Sequence, residues 1–122
     1  MLSLFPRVEV IGEAADGQES LDLVSQSQPD VVVLDIQMPV MDGLEATRWI
    51  KVEWPEVWVV VLTMHATYRA PALAAGADAF LLKGCTAEEL QRAILAKPAA
   101  GEGDRSAKTV VPAAGSSRRM HS

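Results

Sequence analysis

Three residues with the means for one chemistry close three apolar runs of this 122-residue chain. Asp35 ends Val31-Val32-Val33-Leu34, Thr63 ends Trp58-Val59-Val60-Val61-Leu62, and Lys83 ends Ala79-Phe80-Leu81-Leu82. A carboxylate is a usable nucleophile toward a phosphoryl group, and the acyl phosphate it forms spreads negative charge that a hydroxyl and a cation can hold. Each residue also has a plainer reading: Asp35 as an ordinary strand-end acid, Thr63 as a β-branched strand former, Lys83 as a solvated edge charge. A strand-end lysine offers a second chemistry as well, Schiff-base formation in a fragment of a (β/α) barrel, which borohydride trapping with a carbonyl substrate would reveal.

The elements that must position these groups follow from the pattern around them. Branched apolar runs without polar alternation suit strands covered on both faces, the habit of parallel sheets, and such strands deliver their last residue to the edge where ligands bind. Val8-Glu9-Val10-Ile11 reads as a further strand. Asp16-x-x-Glu19 has capping-box spacing and predicts a helix over 17–27, ended by Pro29. Pro39 and Gly43 break the chain after Asp35, with Gly43 expected to take a positive φ, and a helix then carries Leu44, Thr47 and Ile50 on one face until Pro55. Residues 65–75 form a weaker helix whose first part reads as loop, and Thr86-x-x-Glu89 caps a last one bearing Leu90, Ala93 and Ile94. Strand and helix alternating four times predict a doubly wound α/β fold with four parallel strands and helices on both faces.

Composition limits the functions available. With 49% apolar and 22% charged residues the chain is one globular domain. Its longest apolar stretches fall well short of the roughly twenty residues that cross a bilayer, and Met1-Leu2-Ser3-Leu4 lacks a signal-peptide pattern, so the expected compartment is the cytosol. Residues 1–96 hold 6 Lys/Arg against 14 Asp/Glu and should repel nucleic acid; Arg118-Arg119 is too short a basic run to reverse that. Cys85 stands alone and cannot form an internal disulfide. Residues 97–122, rich in Ala, Gly, Ser and Pro with only Val110 and Val111 as bulky apolar neighbours, read as a flexible tail.

The stretch Asp35-x-x-Met38-Pro39-x-Met41-Asp42-Gly43 resembles the phosphoacceptor segment of bacterial two-component receiver domains, and the likeness extends over about residues 4–96. The resemblance makes Asp35 the phosphoacceptor, Thr63 the hydroxyl that bonds a phosphoryl oxygen, and Lys83 the cation that pairs with it. Phe80 becomes the switch aromatic. It implies a histidine kinase as phosphate source, a second receiver domain as a dimer partner, and signalling through the face made by the family's fourth helix, fifth strand and fifth helix. Val8-x-Val10-Ile11-Gly12-Glu13-Ala14, Thr63-Met64-His65 and Ala74-Ala75-Gly76-Ala77-Asp78 resemble the LuxR-type transcriptional regulators most closely. A receiver that acts this way catalyses at most its own aspartyl phosphorylation. The other reading is a non-phosphorylated receiver-like interaction module.

Two departures from the family bear on this. Receivers begin with a strand that ends in two acids, which hold Mg²⁺ together with the phosphoacceptor and a backbone carbonyl, here that of Gln37. This chain starts within the helix that follows that strand, leaving Asp35 as the one certain carboxylate ligand and metal binding weak. Ala99-Ala100-Gly101-Glu102-Gly103 looks like a linker toward a DNA-binding domain, but the residues after it do not continue the resemblance. The absent strand should lie between residues 8–11 and 31–35. The expectation is therefore that 8–11 shifts inward to pair with 31–35, or that two strand edges stay open.

Overall fold

The computed structural model describes residues 7–37, 41–98 and 106–113. In chain order these form β1 (Val8–Ala14), α1 (Gly17–Ser27), β2 (Val31–Asp35), α2 (Gly43–Glu53), β3 (Trp58–Thr63), α3 (Arg69–Ala75), β4 (Ala79–Leu82), α4 (Ala87–Leu95) and β5 (Ala107–Pro112). Helix starts follow their caps. The carboxylates of Asp16 and Asp42 accept the N–H groups of Glu19 and Glu45, and Thr86 with Glu89 forms a complete capping box. The part of 65–75 read as loop is largely a 3-10 turn, Ala66–Tyr68, and the α-helix begins only at Arg69, two residues before Pro71.

Five strands, not four, make the sheet, in the order β1-β5-β2-β3-β4 and parallel throughout. The fifth comes from the stretch read as a flexible tail. Ala107–Pro112 lies between β1 and β2, so β1 neither shifts inward nor leaves an open edge beside β2. Thr109, Val110 and Val111 are β-branched and suit a pleated surface, and Ala107, Thr109 and Val110 are fully buried there. On one side β5 stands opposite β1 from Val8↔Ala107 to Ala14↔Pro112, with an irregularity between Val10 and Gly12. On the other it meets β2 at Val31↔Thr109 and Val32↔Val110. β1 is longer than the four residues expected because Gly12, Glu13 and Ala14 remain paired with β5. Met1–Pro6, Met38-Pro39, the linker-like Ala99–Gly103 and Arg118-Arg119 lie outside the described residues.

The sheet separates two apolar layers. Val24 of α1, Ile50 and Ala46 of α2 and Ala72 of α3 pack on Val32, Leu34, Val59, Val61 and Val110 from one side. Ile94 of α4 packs on Val8, Val31, Val33 and Val60 from the other, and the Trp58 indole N–H fastens that layer by donating to the Ala93 carbonyl at 3.1 Å. Helices on both faces explain why the strands read as unbroken apolar runs. Among the described residues no helix is long and apolar enough to cross a membrane.

Candidate functional site

Parallel pairing carries the three candidate residues to one edge. Asp35 stands opposite Leu62 and Thr63 opposite Leu82, so the ends of β2, β3 and β4 are staggered by a single residue. The Lys83 N–H, just past β4, donates to the Thr63 carbonyl at 2.7 Å, fixing the point from which the lysine side chain leaves the sheet. Its ammonium then forms an ion pair with Asp35 Oδ2. The carboxylate is 14% exposed and the lysine 38%, so the pair sits at the mouth of the sheet edge with the acid inside and the cation outside.

The second carboxylate oxygen is also engaged: Asp35 Oδ1 accepts the Gln37 N–H at 3.0 Å, a local turn that brings the chain sharply away from β2. Thr63 is fully buried. Its hydroxyl oxygen accepts the His65 N–H at 3.3 Å and is not bonded to Asp35. Phe80 is half-buried, opposite Val61 on β4, and packs against the layer containing Leu34 and Val61.

Gly43 keeps this edge in place, though not by a positive φ, which among the described glycines belongs to Gly76 and Gly84. A Cβ on Gly43 would lie 2.5 Å from the Asp35 carbonyl oxygen and 2.8 Å from the Ile36 Cα, and its N–H donates to the Ile36 carbonyl at 3.0 Å. The start of α2 is thus pressed onto the backbone that bears the acid. Gly17 is a contributor the sequence did not single out. Its N–H donates to the Met41 carbonyl at 2.9 Å, at a distance where any side chain would collide with that carbonyl. Asp30 was equally unmarked, although an acid directly before an apolar run is a usable signal. Its carboxylate accepts the Lys108 N–H at 2.9 Å and its N–H donates to the Lys108 carbonyl at 2.8 Å, tying β2 to β5.

The family model described as response regulator receiver domain matches residues 5–95. The chain belongs to that family. It is 38% identical over 96 residues to the transcriptional regulatory protein DegU of Brevibacillus brevis, an alignment covering 77% of this chain and 41% of DegU. The chain therefore spans well under two thirds of that curated relative. Among solved structures it resembles the signal receiver domain of the putative response regulator NarL from Mycobacterium tuberculosis, with TM-score 0.73, 37% identity and 78% of each chain covered. It also resembles a DNA-binding response regulator of the LuxR family from Staphylococcus aureus, with TM-score 0.67, 31% identity, and 72% of this chain and 75% of that one covered. The receiver resemblance of the sequence, its LuxR type and its doubly wound fold are thereby established.

A similar structure, the receiver domain of the sensor histidine kinase PA1611 from Pseudomonas aeruginosa, has a magnesium ion coordinated in its active-site cleft; it shares 31% identity and TM-score 0.59 over 65% of this chain and 68% of that one. The described residues of the present chain supply little of such a site. β5, which lies where the family's acid-ended strand is expected, finishes Val110-Val111-Pro112 and is followed by Ala113. Asp42, the nearest other acid in sequence, caps α2 through the Glu45 N–H. Among the described residues no group of three or more His, Cys, Asp or Glu could hold a metal, and Asp35 with the Gln37 carbonyl would leave most of the Mg²⁺ shell to water and phosphate.

Proposed function

We propose that this receiver takes phosphate from a histidine kinase on Asp35. The observation that carries the reading is the Asp35–Lys83 ion pair at the carboxyl edge of a parallel sheet, with the Thr63 main chain holding the lysine. A carboxylate oxygen attacks the phosphorus of a phosphohistidine; a P–O bond forms, the P–N bond breaks, and the departing imidazole keeps the electron pair and takes up a proton. Lys83 is pre-positioned to balance the oxygens of the transferred group, and the Thr63 hydroxyl, whose oxygen accepts the His65 N–H, has its own proton to donate to a phosphoryl oxygen. With one carboxylate and one ammonium the pocket is close to neutral, so an anionic donor meets little repulsion without the metal that receivers richer in acid require.

In this reading Phe80, on β4 between β3 and solvent, rotates as Thr63 moves, and the altered face consists of α3, β4 and α4. That face serves a protein partner, including a second receiver, in the cytoplasm. DNA binding is not expected of this acidic chain by itself. The domain reading accompanying it takes 1–96 as the receiver, with β5 as a segment from outside that span completing its sheet.

The test is incubation of the chain with acetyl phosphate and with a phosphorylated histidine kinase, followed by peptide mass spectrometry. Label on Asp35, lost in Asp35→Ala, is the expected result; label on another residue overturns it. One observation favours a second reading, a non-phosphorylated interaction module: β5 ends without a carboxylate. Under that reading neither donor labels the chain and a phosphomimic such as beryllofluoride does not bind.

A further inference from the structure

The least usual feature of this molecule is a central strand supplied from the C-terminal side of the chain. We propose that the slot between β1 and β2 is an exchangeable strand site, and that β5 of a second copy of this chain occupies it reciprocally, giving a strand-swapped dimer.

β5 is joined to α4 through residues 96–106, and among the described residues it is held by ladder bonds, by burial and by the Asp30 carboxylate on the Lys108 N–H. Those interactions are the same whether the strand belongs to the same chain or to another. The two arrangements differ only in the cost of closing the connection within one molecule against that of bringing two molecules together. Eleven residues reach at most about 40 Å when extended, enough for a strand to leave its own slot for that of a neighbour.

The strand is also built to transfer whole. Of its buried residues only Val110 and Thr109 are larger than alanine. The Thr109 hydroxyl donates to the Ala107 carbonyl at 2.9 Å, so the one buried side-chain polar group of β5 travels already paired. Its fastening is unequal, with six register pairs to β1 but two to β2, so release breaks fewer ladder bonds than removal of a strand paired along both sides. The vacated slot cannot stay empty at low cost. It would expose two facing strand edges beside Val31, Val32 and Val33, a template that a parallel strand in the β5 register fills on both sides. Each opened molecule is at once donor and acceptor, and mutual exchange closes a twofold pair without leaving a free edge.

Glu9 and Lys108, both exposed and opposite one another in the β1–β5 register, supply the test. In a Cys85→Ser background, one full-length chain carries Glu9→Cys and another Lys108→Cys. The two are unfolded in urea, refolded together and oxidised. A disulfide between the two different chains requires β5 of one on β1 of the other. The expected result is that this heterodimer is the main crosslinked species and that its share rises with concentration, reaching about half near the millimolar effective concentrations of short linkers. Heterodimer no more abundant than crosslinks to a control chain carrying Asp22→Cys overturns the proposal. A single chain bearing both Glu9→Cys and Lys108→Cys controls for the fold: in dilute solution it closes an internal disulfide, and failure to do so also overturns it.

Discussion

Lys83 and Asp35, 48 residues apart in sequence, form an ion pair at the edge of the sheet, with the lysine backbone anchored to Thr63. The pair is partly open to solvent, so it contributes charge at the site more than stability to the fold. Lys83→Ala is expected to change unfolding free energy by less than about 1 kcal/mol. It should also slow phosphorylation of Asp35 by acetyl phosphate on the order of 100-fold, because the cation paired with Asp35 is gone. Urea unfolding and time-resolved mass spectrometry measure the two separately.

Gly43→Ala should act in the opposite sense, damaging both. The added methyl would lie 2.5 Å from the Asp35 carbonyl oxygen, and neither backbone can yield without moving the acid. A loss of about 1–3 kcal/mol is expected, with a shift of the Asp35 amide resonance in NMR spectra.

Val110→Asp places a carboxylate where the side chain is fully buried in the apolar layer shared with Val24 and Ile50. Destabilisation of about 3 kcal/mol or more is expected by urea unfolding, against less than about 0.5 kcal/mol for Lys108→Gln at the exposed neighbouring position. Equal, small effects of both changes would remove β5 from the folded structure.

Metal binding can be restored by design. Val32 stands opposite Val110, so the same register carried onward sets Ala113 level with Asp35. The unaltered chain should show no saturable Mg²⁺ binding by calorimetry at millimolar concentrations. Pro112→Asp combined with Ala113→Asp should bring binding into that range, since it supplies the two carboxylates that the site lacks.

Cys85 gives a pH-dependent readout of the turn beyond Lys83. Burial, with the nearby Glu89 carboxylate adding to it, raises the thiol above its ordinary value. Less thiolate is then present at pH 8 than in an unstructured peptide, and iodoacetamide should react more slowly with the folded chain. Glu89→Gln keeps a side-chain acceptor for the Thr86 N–H and should speed the reaction, with the rate rising at lower pH than in the parent chain.

Much of this architecture is legible in the sequence because local rules agree with the fold. β2 and α1 have the boundaries their apolar runs and caps predict, and Asp35, Thr63 and Lys83 fall at strand ends where the pattern turns polar. The parts that are not legible depend on neighbours distant in sequence. Lys108-Thr109-Val110-Val111 is too short to stand out from the Ala, Gly and Ser around it, and only the opening between β1 and β2 makes it a strand. Gly43 shows the same limit: the residue type is visible, but the pressure of the Asp35 carbonyl upon it is not.

Because β5 follows α4, the order in which the sheet is translated differs from the order in which it closes. At roughly 5–20 residues per second, several seconds separate the synthesis of β2 from that of its central neighbour. During that interval the inner edges of β1 and β2 lack the strand that separates them in the finished sheet. A slow codon between the regions encoding α4 and β5 would lengthen this exposure, and a synonymous change there would alter yield without altering a single residue.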